Sequence, residues 1–142
     1  MQEHFSTLEY QNGRLHLIDQ RLLPTTFEYF LCNTYGDVEF AIRDMVVRGA
    51  PAIGAAAAYG VLMAAKEHAS LFNSGDDKKF RGAIGQACSI LEASRPTAVN
   101  LRWALERMLD LYDRSKWYSI EAVLESFQHE AEAISLEDVA TN

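Results

Sequence analysis

The sequence predicts an α+β chain that is mostly α: an N-terminal β-hairpin region followed by a helical bundle. Three observations carry this. An Asn12-Gly13 pair separates two short extended segments, the strongest local hairpin signal, because the favoured two-residue turn needs positive φ at both central positions. From Thr34 onward the apolar residues switch to helical spacing in five successive stretches. A length of 142 residues with 49% apolar and 23% charged content supports one ordinary core and not two comfortable domains.

In chain order, Thr7 to Tyr10 and Leu15 to Ile18 are the two arms of the hairpin. Arg21-Leu-Leu-Pro24 reads as a short edge strand that the proline closes. Val38, Ala41, Ile42, Met45 and Val46 then mark one helical face, capped by Thr34 or Asp37 and ending at Val47 or Arg48, because Gly49 and Pro51 follow. The next helix, about 52 to 69, is apolar nearly all round and belongs inside the bundle. Gly54 and Gly60 within it call for close packing or backbone access, since each costs about 1 kcal/mol of helix propensity against alanine.

Asn73 to Asp77 reads as a loop. Phe80, Ile84, Ala87 and Leu91 mark the face of a following helix, and Leu101, Ala104, Leu105, Met108 and Tyr112 that of another after Pro96. Ile120, Val123, Leu124, Phe127, Ala131 and Ile134 mark the last full helix, with Ser119 as its cap. Ser135-Leu-Glu-Asp138 resembles a capping box, so residues 135–142 read as the start of a truncated linker or helix. The division is therefore 1–33 for the hairpin region, 34–134 for the bundle and 135–142 for the cut element.

The formal net charge of −7 speaks against nucleic acid and against an anionic membrane surface, both of which want a basic face. The start, Met1-Gln-Glu-His-Phe, lacks the basic-then-apolar pattern of a signal peptide, and the run from Pro51 to Ala65 is too short to span a bilayer, so the cytoplasm is the expected location. Cys32 and Cys88 form no framework, and His4, His16, His68 and His129 have no partner at ligand spacing. No metal and no organic cofactor is expected.

Two stretches stand out chemically. Arg48-Gly-Ala-Pro-Ala-Ile-Gly54 and Ser94-Arg-Pro-Thr-Ala-Val-Asn100 each place an arginine and a proline ahead of a helix-like run. Proline suits a helix start, whereas a cation there meets the positive end of the helix dipole. An anion between them resolves the conflict, because phosphate accepts free helix-end N–H groups and a forked guanidinium at once. The rival explanation for each arginine alone is a solvated surface charge.

The same residues carry a resemblance. Met45-Val-Val-Arg-Gly-Ala-Pro-Ala-Ile-Gly54 with the following Ala-Ala-Ala-Ala-Tyr-Gly60, the block Ser94 to Met108, and Leu15 to Pro24 resemble the methylthioribose-1-phosphate isomerase family, which also contains regulatory subunits of translation initiation factor 2B. The similarity runs over almost the whole chain. It implies a substrate-phosphate role for Arg48, Gly49, Ala50 and Arg95, with a small-molecule sugar phosphate as partner. It also implies a second, Rossmann-like domain that holds the catalytic cysteine and aspartate and has no counterpart here, so no catalytic residue is assigned. Cys32 and Cys88 lie outside the family's cysteine motif, and Cys88 reads as a buried small hydrophobe.

The resemblance implies the phosphate-gripping N-terminal domain of an aldose–ketose isomerase that converts 5-methylthioribose 1-phosphate to 5-methylthioribulose 1-phosphate, inactive by itself. A relative acting on ribose 1,5-bisphosphate and a non-catalytic regulatory module stay open beside it. So do a homo-oligomer and a separately encoded C-terminal domain as partners.

Overall fold

A computed structural model describes residues 8–141 of the chain, with side chains through Glu137. Three strands, β1 (Leu8–Gln11), β2 (Arg14–Ile18) and β3 (Tyr29–Cys32), form an antiparallel sheet in sequence order. Asn12 and Gly13 join the first two with φ of 55° and 78°, the double positive φ that a tight hairpin requires. Leu8 faces Leu17, and Leu15 faces Cys32. Leu15, Leu17 and Cys32 are fully buried, while Arg14 and His16 lie on the outer face. The hairpin is thus present as expected, although Thr7 falls outside the described residues.

The edge strand expected at Arg21 to Pro24 is not there. That segment is turn: the Leu22 amide donates to the Asp19 carbonyl and the Thr26 amide to the Leu22 carbonyl, which leaves no free row of groups for pairing. The third strand is β3 instead, which forms one edge of the sheet while β1 forms the other. Asp19, only 5% exposed, holds the turn by accepting the amide, Nε and Nη2 of Arg21 at 3.1, 2.9 and 2.8 Å. The side-chain hydrogen bonds from Arg21, opposed by burial, hold the Asp19 carboxyl below its ordinary value. The sign follows: this pair contributes stability above the unfolded carboxyl range, near pH ~3.9, and the contribution disappears as pH falls through the lower folded value. Acid titration of stability is therefore expected to be shallower in Asp19→Asn than in the parent, as read by urea midpoints between neutral pH and pH 3.

Six helices follow: α1 (Tyr35–Arg43), α2 (Ala50–Glu67), α3 (Ala69–Asn73), α4 (Asp77–Ser94), α5 (Val99–Asp113) and α6 (Ile120–Thr141). The Thr34 hydroxyl accepts the Asp37 amide while the Asp37 carboxylate accepts the Thr34 amide, a complete capping box on α1. The helix ends at Arg43 and not at Val47 or Arg48. Met45 takes φ 66°, the Val46 amide reaches back to Ala41 and the Met45 amide to Ile42, which is a Schellman turn with methionine where glycine is usual. Val46 and Val47 remain buried beyond that turn and keep the apolar stripe in the core.

Helix α2 is the central element. Every residue from Ile53 to Ala65 is buried, and α1, α4, α5 and α6 all pack on it. A Cβ at Gly60 would lie 3.1 Å from Leu91 and 3.3 Å from Val38, both fully buried, and one at Gly54 would lie 3.0 Å from the Asn100 carbonyl. Close approach of neighbouring elements accounts for both glycines. The sheet covers one end of this layer: Tyr10 of β1 stacks on Tyr59 of α2 at 5.1 Å, and Phe30 of β3 on Phe40 of α1 at 5.6 Å.

The helix-face residues predicted on α4 and α5 are buried, with Tyr112 half-buried among Phe80, Trp117 and Phe127. Between α2 and α4 the sequence pattern predicts no separate helix, and α3 fills that gap. No new element starts at Ser135. Helix α6 runs through it to Thr141, because no glycine or proline interrupts residues 120–141 and the stripe from Ile120 to Ile134 stays in phase.

Candidate anion site at two helix starts

The longer helices divide into two groups by how they begin. Helices α1, α4 and α6 have side-chain caps from Thr34, Asp76 and Ser119, and an acidic residue in the first turn. Helices α2 and α5 have Gly49 and Ala98 at the cap, no side-chain bond there and no acidic residue in the first turn. Within the described residues no acceptor takes the amides of Gly49, Ala50 and Ala52, or those of Val99, Asn100 and Leu101. Each head therefore offers free donors and an uncompensated positive dipole end. The two heads meet through Gly54 and Asn100, where only a missing side chain allows the contact.

Arg48, Gly49 and Ala50 lie together and exposed at the head of α2. Pro51 occupies the second position of the helix, as its fixed φ favours. Gly49 has φ 91° and ψ 128°, a backbone state that only glycine adopts without strain, and a Cβ there would meet nothing within 4 Å. The room above Gly49 is open.

Arg95 is placed differently from expectation. It is half-buried at the C-cap of α4, its amide donating to the Glu92 carbonyl, and α5 begins only at Val99. Pro96 and Thr97 form the intervening turn, closed by the Ala98 amide on the Arg95 carbonyl. The dipole of α4 attracts a cation at that end. Arg95 thus has a favourable helix end of its own, and the conflict read from its position in the sequence falls away. What remains is that neither arginine has an ion-pair or side-chain hydrogen-bond partner among the described residues, a condition they share with Arg14 and Arg102, whereas Arg21, Arg43, Arg81, Arg107 and Arg114 are each paired.

The cysteines are no nucleophiles. Burial pushes both the Cys32 and the Cys88 thiol up to about 12. No group of three or more His, Cys, Asp and Glu side chains suited to a metal occurs among the described residues. No described helix is long and apolar enough to cross a membrane.

Gly49→Ala tests the head of α2. It is expected to lose about 1–3 kcal/mol through backbone strain alone, and to lose anion affinity as the free amides turn away. Gly75→Ala is the control, since Gly75 also has positive φ (85°) and open space but lies in the turn between α3 and α4. Denaturant midpoints should fall in both variants, and anion affinity only in the first.

A small antiparallel sheet capping a bundle wrapped round a glycine- and alanine-rich central helix, with two uncapped helix starts in contact, defines a mostly helical α+β fold. The initiation factor 2 subunit family matches residues 46–142, and the chain belongs to that family. It is 48% identical over 140 residues to methylthioribose-1-phosphate isomerase of Caldanaerobacter subterraneus subsp. tengcongensis, covering 99% of this chain and 39% of that protein. It is 44% identical over 136 residues to methylthioribose-1-phosphate isomerase 1 of Pseudothermotoga lettingae, covering 96% and 38%. Among solved structures it is similar to 5-methylthioribose 1-phosphate isomerase from Pyrococcus horikoshii, with a TM-score of 0.83 and 37% identity over 92% of this chain and 36% of that one. The delta subunit of translation initiation factor eIF-2B from A. fulgidus is similar to the same degree, with a TM-score of 0.82, 37% identity and coverage of 94% and 37%. The chain spans about 39% of the length of the first of these relatives.

Proposed function

We propose that this chain is the phosphate-gripping part of an aldose–ketose isomerase that converts 5-methylthioribose 1-phosphate to 5-methylthioribulose 1-phosphate, a step of methionine salvage in the cytoplasm. The observation that carries this is the contact between the heads of α2 and α5: two uncapped helix starts, free amides on both, and an unpaired arginine ahead of each. Arg48, Gly49, Ala50 and Arg95 then hold the substrate phosphate on the bundle at 34–134, with the sheet region 1–33 bracing it. Anchoring the phosphate fixes the sugar for acid–base chemistry at adjacent carbons, which is how such a unit contributes to rate. The acid and base belong to the rest of the enzyme, whether in the same polypeptide or in another.

A second reading has support of its own: the likeness to the eIF-2B delta subunit equals that to the isomerase structure. In that case the chain is a regulatory module. Calorimetric titration with methylthioribose 1-phosphate, ribose 1,5-bisphosphate and inorganic phosphate separates the possibilities. The isomerase reading expects saturable binding of the first, matched or exceeded by no other ester. Preference for the bisphosphate moves the substrate assignment to that sugar, and absence of binding by all three favours the regulatory module.

A further inference from the structure

We propose that Asp19 and Arg21 are positioning residues that hold the Arg48 loop from the side of the sheet. The bonds that fix the turn also aim one backbone group at that loop. The Asp19 amide donates to Glu28 at 2.8 Å, and the Asp19 carboxylate takes three donors of Arg21. With its neighbours on both sides held in this way, the Gln20 amide points at the Val46 carbonyl and donates to it at 2.9 Å. Val46 stands two residues before Arg48 and is fully buried, so its carbonyl is a fixed point from which the loop leaves the core.

The loop needs such a hold. Met45 sits in the left-handed region with φ 66° although it is not glycine, and it is 42% exposed, so its own burial does little to offset the strain. A residue in that state persists only where its surroundings fix it. The Arg21 guanidinium adds a second tie, lying 5.9 Å from the Phe30 ring of β3 and 5.8 Å from the Phe40 ring of α1. Sheet, α1 and Arg48 loop are thereby joined at one turn. The geometry of this brace is independent of the ligand, whereas its consequence for phosphate rests on the function proposed above.

Amide hydrogen exchange and inorganic phosphate titration on the whole chain test it together, with Arg21→Ala, Arg21→Lys and Asp19→Asn against the parent. Arg81→Ala is the control for general loosening, since it breaks the ion pair with Asp113 between α4 and α5. Protection of the Gln20, Val46 and Val47 amides is expected to drop about tenfold in Arg21→Ala, while Cys88 and Leu105 keep theirs. Arg21→Lys, which retains charge without the fork, should fall between. Phosphate affinity should weaken about fivefold in Arg21→Ala, the order of one lost hydrogen bond, and stay unchanged in Arg81→Ala. If Arg21→Ala does not fold, Arg21→Lys and Asp19→Asn are judged by the same criteria. Equal loss of protection at all amides, or none at Gln20 and Val46, overturns the brace. A loosened loop with parental phosphate affinity overturns its positioning role. A parent that binds no phosphate refutes the function proposed above, and the exchange data still decide the brace.

Discussion

Arg48→Ala and Arg95→Ala are each expected to weaken sugar-phosphate binding about tenfold or more. A hydrogen bond to a charged group contributes about 1.5–3 kcal/mol, and neither guanidinium has a side-chain partner among the described residues that would compete with the proposed anion. The double variant should bind too weakly to saturate. Folding should be spared, because neither side chain is fully buried and neither holds an ion pair. Calorimetric titration of the three variants, with helix content followed by circular dichroism, checks this. The same substitutions in a full-length relative extend the test to turnover, where a lost phosphate anchor lowers rate as well as affinity.

No turnover of methylthioribose 1-phosphate is expected from the 142-residue chain itself. Moving a proton between adjacent sugar carbons needs an acid and a base within reach of both. The two thiols that could serve are buried and held protonated at any physiological pH, with values near 12. The strongest carboxylate partners are already spent on structure, Asp19 on Arg21, Asp113 on Arg81, and Glu130 and Glu137 on Arg107. A coupled assay with the purified chain should read zero above buffer, and robust turnover would contradict the assignment of the chemistry to another part of the enzyme.

The elements that follow local rules were legible in the sequence. Asn12-Gly13 announced its turn because few other pairs tolerate two positive φ values. The helix-face residues on α4, α5 and α6 were readable because one side of each helix is wet. Strand β3 was hidden for the opposite reason. Tyr29 and Leu31, on its outer face, are as apolar as Phe30 and Cys32 on its inner one, so no alternation shows. The early end of α1 was hidden because Met45 does the work of a glycine. Helix α3 is five residues long and lacks a side-chain cap, so neither period nor start signal marks it.

Of the two stretches proposed as the site, one has the local geometry its sequence suggests and the other does not. Arg48-Gly-Ala-Pro does open a helix with free amides, as its sequence suggests. Arg-Pro at 95–96 does not, because the chain makes a full turn before α5 begins and leaves Arg95 on the end of α4. The feature that ties the two stretches together is the Gly54–Asn100 contact, which no local pattern announces. A further signal was present in the sequence: neither α2 nor α5 carries an acidic residue in its first turn, where the other long helices do.

The shared site is tested most directly by nuclear magnetic resonance titration of the chain with inorganic phosphate, following arginine Nε–Hε and backbone amide signals. If one anion bridges the two heads, the Arg48 and Arg95 side-chain signals and the Gly49 and Ala50 amides shift together, along one binding curve with one Kd. Movement of only one arginine, different Kd values for the two, or shifts confined to other parts of the surface would contradict a single phosphate site.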